Sequence, residues 1–184
     1  MRILLTAFEP FGEDTTNSSR LVLDRLPDTV GQHQIERLVL PVCAQDAIRI
    51  LADVQPVPDA IVLTGQAGGR KGVTAERIAV NCASYRIPDN KGFQPVEMPI
   101  DPSGPDGIFT TLPLKKIIAE TDGITVSDSA GTYVCNHLFY LTLRRFPGLP
   151  VGFVHIPYLR EQGKEGMPDA AAAAAVLAGV IKCL

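Results

Sequence analysis

Three near-continuous apolar runs constrain the kind of sheet this chain can build. Arg2–Ala7 (RILLTA), Asp59–Gly65 (DAIVLTG) and Val151–Tyr158 (VGFVHIPY) are short and lack the polar alternation of a strand with one wet face. Strands of that kind are buried on both sides, which calls for helices above and below a mostly parallel sheet. The segments between them supply those helices. Asn17-Ser18-Ser19 offers an N-cap for a helix through Leu26, Ala44–Val54 has helical apolar spacing, Leu112–Glu120 reads as a helix, and Pro168–Leu184 is alanine-rich with Pro near its start. Ile35–Val42 and Ile124–Val126 read as further strands. Val73–Tyr85 mixes both signals, with Ile78, Val80 and Cys82 alternating as a strand does. The expected class is α/β, with residues 1–184 forming one domain.

Charge and cysteine usage exclude several function classes. A net charge of −3 without a basic stripe gives no reason to expect nucleic acid or an anionic membrane as partner. Met1–Thr6 has too few apolar residues for a signal peptide, and Ala170–Leu184 is shorter than a membrane span and broken by Gly179 and Lys182. A cytoplasmic location is expected. Cys43, Cys82, Cys135 and Cys183 show no CxxC spacing, so reduced thiols are expected, with Cys183, near the C-terminus, the most reachable of them; three scattered histidines offer no metal cluster. No metal and no cofactor are expected.

The stretch that invites chemistry is Ser127–Arg144 (SDSAGTYVCNHLFYLTLR), where small, turn-prone residues run into a helix-compatible segment. Cys135 falls in the first turn of that helix. Unpaired backbone N–H groups there favour a thiolate and can also hold a developing oxyanion. The competing reading is a small apolar residue buried at a helix start, since free Cys is among the most buried residue types. Upstream, Phe8 and Phe11 sit where the first strand ends at Phe8-Glu9-Pro10-Phe11-Gly12. They either pin a loop to the core or line a site beyond the carboxyl ends of the strands. The glycine-rich Gly65–Arg70 (GQAGGR) fits neither dinucleotide nor Walker spacing, and close backbone approach is its more general meaning. Glu76 lies within an apolar patch, either paired with a cation or orienting a catalytic group. The proline-punctuated segment from Arg86 to Pro105 is long enough to be a binding element or lid.

A nucleophilic Cys needs a base. His137 is two residues from Cys135, which puts the two side chains on roughly opposite faces of a helix. His33, in the polar segment Gly31-Gln32-His33-Gln34, is expected to be exposed. His155 remains, near the carboxyl end of the strand that follows the cysteine helix. Composition selects no third member.

Six stretches taken together carry a resemblance: FEPFG (Phe8–Gly12), GQAGGR (Gly65–Arg70), ERIAVN (Glu76–Asn81), RIPDN (Arg86–Asn90), SAGTYVCNHLFY (Ser129–Tyr140) and GFVHIPY (Gly152–Tyr158). They resemble, in order, the signature stretches of the pyrrolidone-carboxylate peptidase (pyroglutamyl peptidase I) family of cysteine peptidases. The resemblance implies a triad of Cys135 as nucleophile, His155 as base and Glu76 as the residue orienting the imidazole. It implies that Phe8, Phe11, Gln66, Ile87 and Val134 surround the substrate, with Arg86 near the site in an oxyanion or supporting role. It further implies a cofactor-free three-layer α/β/α sandwich with a mixed, mostly parallel central sheet, assembled as a homo-oligomer, typically a tetramer. The implied reaction removes an N-terminal 5-oxoproline from peptides.

The sequence departs from the family pattern at Glu13 and Ala7, where glycines are usual, and in two short connections, Pro147–Pro150 and Leu159–Met167. The latter two suggest a trimmed rim around the site and bear on which leaving groups it takes. Two other readings stand beside the peptidase: a thiol amidase acting on free lactams or small amides, and a non-catalytic α/β module binding a small cyclic amide.

Overall fold

The computed structural model describes Met1–Leu184. Its centre is a seven-stranded sheet built from β1 (Arg2–Phe8), β2 (Thr29–Val30), β3 (His33–Leu40), β4 (Ala60–Gln66), β5 (Val73–Glu76), β8 (Ile124–Ser127) and β9 (Val151–Ile156). Two short strands, β6 (Ile78–Val80) and β7 (Gly107–Phe109), form a separate antiparallel pair. In the main sheet the order is β2-β3-β1-β4-β9-β5-β8. β3, β1, β4 and β9 run parallel, as do β5 and β8, whereas β2 is antiparallel to β3 and β5 is antiparallel to β9. The sheet is therefore mixed and mostly parallel, as expected.

Five helices cover it: α1 (Ser18–Leu23), α2 (Ala44–Ala52), α3 (Leu114–Glu120), α4 (Val134–Arg145) and α5 (Ala170–Lys182). Side chains alternate across each strand, so one core holds Ile3, Leu5, Val62, Val154 and Ile156 against α1, α3 and α5. The other holds Leu4, Phe8, Ile61, Leu63 and Phe153 against α2 and α4. Three layers result. Asn17 caps α1 by accepting from the Ser19 N–H at 3.0 Å, as its sequence position predicts, although the helix stops at Leu23 rather than Leu26.

Two features position the site. β1 keeps its ladder with β3 as far as Phe8↔Leu40 but pairs with β4 only to Leu5↔Val62. Past that point the backbone ladder stops, leaving only the Thr64 hydroxyl donating to the Thr6 carbonyl at 2.6 Å, and a crevice lies at the carboxyl ends, where open α/β sheets bind ligands. The long segment between β6 and β7 is pinned to α4. Asn136, fully buried, accepts from the Val80 N–H and donates to the Val80 and Cys82 carbonyls, and the Tyr140 hydroxyl donates to the Pro105 carbonyl at 2.7 Å.

Two expectations are corrected. His33 is buried, because it opens β3 inside the sheet rather than lying in the loop before it. Cys183, expected to be the most reachable thiol, is also buried, its sulfur 3.8 Å from the Thr121 hydroxyl. The end of α5 packs into the first core instead of fraying.

Candidate active site

Strand parity brings the reactive groups to one face. On β9, Val151, Phe153 and His155 face α4; on β4, Ile61, Leu63 and Gly65 do the same; on β5, Thr74 and Glu76 do. Gly65 is the direct cross-strand neighbour of His155. A Cβ on Gly65 would lie 2.9 Å from the Cys135 sulfur and 2.8 Å from the Phe153 ring. The absent side chain is thus the space in which the thiol sits, one strand from His155. This is the close approach that the glycine-rich stretch predicts, and Gly68 repeats it against the Tyr158 ring.

His155 Nδ1 is 2.7 Å from Glu76 Oε1. Glu76 is fully buried and also takes Arg70 Nη1 on the same oxygen, while Arg70 Nη2 donates to the Ser129 carbonyl at 3.0 Å. Glu76 thus makes a cation pair and a contact to a histidine through one oxygen. Burial would raise the Glu76 carboxyl, but the hydrogen bond and charge of His155, with Ser127 and Arg70, outweigh it and hold it below its ordinary value. An ionised carboxylate only accepts, so Nδ1 carries the proton and Nε2 keeps its lone pair. Burial keeps His155 itself below its ordinary value, against the pull of Glu76.

Cys135 differs from expectation. Burial, and then the Glu76 charge, push its thiol up to about 12; Arg70 and its own backbone N–H oppose this without prevailing. The resting pair is a neutral thiol and a neutral imidazole, because the helix N-terminus does not offset the loss of water around the sulfur. The N-cap of α4, Tyr133, makes no side-chain cap hydrogen bond, so the first-turn N–H groups stay available to an oxyanion.

Cys135 borders a narrow slot of about 30 Å³ that is lined otherwise by Phe8, Phe11, Asn17, Val42, Gln66, Tyr133 and Val134. No charged side chain lines it. The Gln66 carboxamide is already committed: Oε1 accepts from the Ser18 N–H at 2.9 Å and from Gln162 at 2.8 Å, and Nε2 donates to Asp14 at 2.7 Å. The structure brings Phe8, Phe11, Gln66 and Val134 together around this slot. It leaves Ile87 exposed outside the slot. Arg86 is exposed too, and the cation on Glu76 is Arg70. Val42 and Tyr133 complete the slot; Val42 carries no local sequence signal, whereas Tyr133 lies two residues before the cysteine, at the helix entry.

His137 lies away from the thiol. Its Nδ1 is 2.8 Å from the Tyr85 hydroxyl, and burial lowers it to about 4, against the charge of Asp89. A depressed histidine favours folding at neutral pH and loses that advantage as the unfolded chain takes up its proton below 6.5. Stability should therefore fall by about 3 kcal/mol between pH 7 and pH 4 from this residue alone. Urea unfolding of wild type and His137→Leu at both pH values checks this; equal acid losses in the two proteins would refute it.

Comparison with known proteins follows the same lines. Residues 1–181 match the family model described as pyroglutamyl peptidase. A pyrrolidone-carboxylate peptidase of Lactobacillus acidophilus is 43% identical over 176 residues, covering 90% of this chain and 88% of the relative. Pyrrolidone-carboxylate peptidase 1 of Caldanaerobacter subterraneus is 45% identical, covering 88% and 85%. The crystal structure of pyrrolidone carboxyl peptidase from Thermus thermophilus superposes with a TM-score of 0.92 at 35% identity, covering 99% of this chain and all of the other. That of pyroglutamyl peptidase I from Bacillus amyloliquefaciens gives 0.85 at 36% identity, covering 98% and 95%. On a family match and relatives that extend over nearly its whole length, this chain belongs to the pyroglutamyl peptidase family.

Proposed function

We propose that this chain is a cysteine peptidase hydrolysing the amide bond that follows an N-terminal 5-oxoprolyl residue. The observation that carries the reading is the thiol of Cys135 bordering an apolar slot, over the glycine paired in register with His155. As Sγ attacks the scissile carbonyl, its proton passes to His155 Nε2, and Glu76 stabilises the imidazolium through Nδ1–H. The carbonyl oxygen takes the charge and is met by the first-turn N–H groups of α4. Collapse breaks the C–N bond, the leaving amine takes the proton from His155, and a thioester remains. Water, deprotonated by His155, then releases 5-oxoproline and the free thiol.

The slot favours a flat, neutral ring. Phe8, Phe11 and Tyr133 supply apolar walls, and no carboxylate is present to receive the charged ring amine of an N-terminal proline. With the Gln66 side chain engaged, pairing with the lactam falls to backbone groups on the β1-facing edge of β4, which is unladdered past Val62. The chemistry needs no cofactor. Four free cysteines suit a reducing cytoplasm, and no helix is long and apolar enough to cross a membrane. Homo-oligomer formation belongs to the same reading; Phe93, Val96 and Met98, exposed on the segment between β6 and β7, offer apolar surface for it.

The test is release of a fluorogenic amine from its 5-oxoprolyl conjugate, with the prolyl conjugate as control, in reducing buffer. Turnover of the first alone, at least about 100-fold over the second, is expected, because a site built around lactam groups rejects a ring lacking them. Activity on simple amides but not on 5-oxoprolyl peptides would favour the amidase. A folded, inactive protein would favour the binding module.

A further inference from the structure

On the far side of the slot wall lies a second, open hollow of about 480 Å³. The two share that wall: Gln66, which lines the slot, and Tyr158, which lines the hollow, both donate to the same oxygen of Asp14. The hollow also adjoins the catalytic groups, because Arg70 lines it while holding Glu76. It is formed by the loops leaving β4 and β9, the strands that carry Gly65 and His155. It therefore lies on the side of His155, the residue that protonates the departing amine. Its rim includes Gly163–Met167, part of the short connection after β9.

Its charge is one-sided. Lys71 and Lys164 are exposed and make no ion pair, Lys164 resting 4.9 Å over the Tyr158 ring. Glu165 is the only acid among the lining residues. The floor is fixed, since Gly68 lies so close to Tyr158 that a Cβ would come within 2.4 Å of the ring. A rigid floor with two unneutralised ammonium groups above it suits a carboxylate.

We propose that this hollow receives the peptide beyond the scissile bond and selects leaving peptides that carry a carboxylate, from an acidic side chain or from a free C-terminus. The inference rests on the peptidase reading above. A substrate with its ring in the slot and its carbonyl at Cys135 sends its leaving chain past His155 and Arg70 into a field set by Lys71 and Lys164. Charges at this exposure steer modestly and are screened by salt.

The experiment compares kcat/KM for amidated 5-oxoprolyl peptides whose next residue is Glu, Ala or Lys, and for 5-oxoprolyl-alanine as free acid and as amide. The neutral 5-oxoprolyl arylamide is the reference. In dilute buffer Glu should exceed Lys by about fivefold or more, shrinking below about twofold in 0.5 M salt. The free acid should exceed its amide if the terminal carboxylate is read. Lys71→Glu/Lys164→Glu should reverse the Glu-to-Lys ratio. A flat or Lys-favouring order in wild type, or a ratio unchanged in the double variant, overturns the inference while arylamide turnover leaves the peptidase reading standing. Loss of arylamide turnover in wild type overturns the peptidase reading itself.

Discussion

Cys135→Ala should lower turnover of the 5-oxoprolyl arylamide by at least about 10⁴-fold, with KM for any residual activity little changed. The slot walls that bind the ring are contributed mostly by other residues, so ground-state binding survives while the covalent route is lost. Stability should move by under about 1 kcal/mol, because the side chain is small and borders the slot rather than filling a core. A variant that retains turnover would remove Cys135 from the mechanism. Alkylation offers a second readout with a definite sign. Because burial holds the thiol up to about 12, the rate of inactivation by iodoacetamide should keep rising through the alkaline range. A plateau reached below pH 7 would instead mark a preformed thiolate. Loss of activity should track modification of Cys135, since Cys43 and Cys183 are buried and Cys82 lies outside the slot.

The contrast between what the sequence conveys and what it conceals follows from the range of the interactions. β1, β4 and β9 are legible because burial on both faces leaves a local trace, an unbroken apolar run. Asn17 is legible because capping is a contact between neighbours. β2 and β7 are not, because two or three residues carry no periodicity and form only where a partner strand is supplied. Cys135 and His155 can be selected by residue type and position, whereas Arg70 cannot: its partner Glu76 is close in sequence, but the burial that gives the pair meaning comes from the folded sheet. The thiol illustrates the same limit. Its place in a helix first turn is local and favours the anion; the surrounding core is non-local and favours the neutral form more strongly. Val42 reaches the slot only because β3, which it follows, runs beside β1 with Leu40 opposite Phe8, a matter of register.

Glu76→Gln should lower kcat by about 10²- to 10⁴-fold, through charge rather than shape. The amide oxygen can take the place of Oε1 and still accept from both His155 Nδ1 and Arg70 Nη1, so the imidazole keeps its tautomer. What disappears is the negative charge that offsets the imidazolium formed when the thiol is deprotonated. Arg70 then adds an uncompensated positive charge in the same buried space, which disfavours that imidazolium further. The sign of this second effect can be isolated. Removing Arg70 as well, in Glu76→Gln/Arg70→Met, restores neutrality, so the double variant should exceed the Glu76→Gln enzyme in kcat by several-fold. Arg70→Met alone leaves Glu76 unopposed. It lets both His155 and the Cys135 thiol rise, since Arg70 lowers each of them. Its optimum should therefore move to higher pH relative to wild type. Strict additivity of the two substitutions in log kcat would mean that Arg70 and Glu76 act separately on the reaction; the shared oxygen predicts a large positive coupling between them.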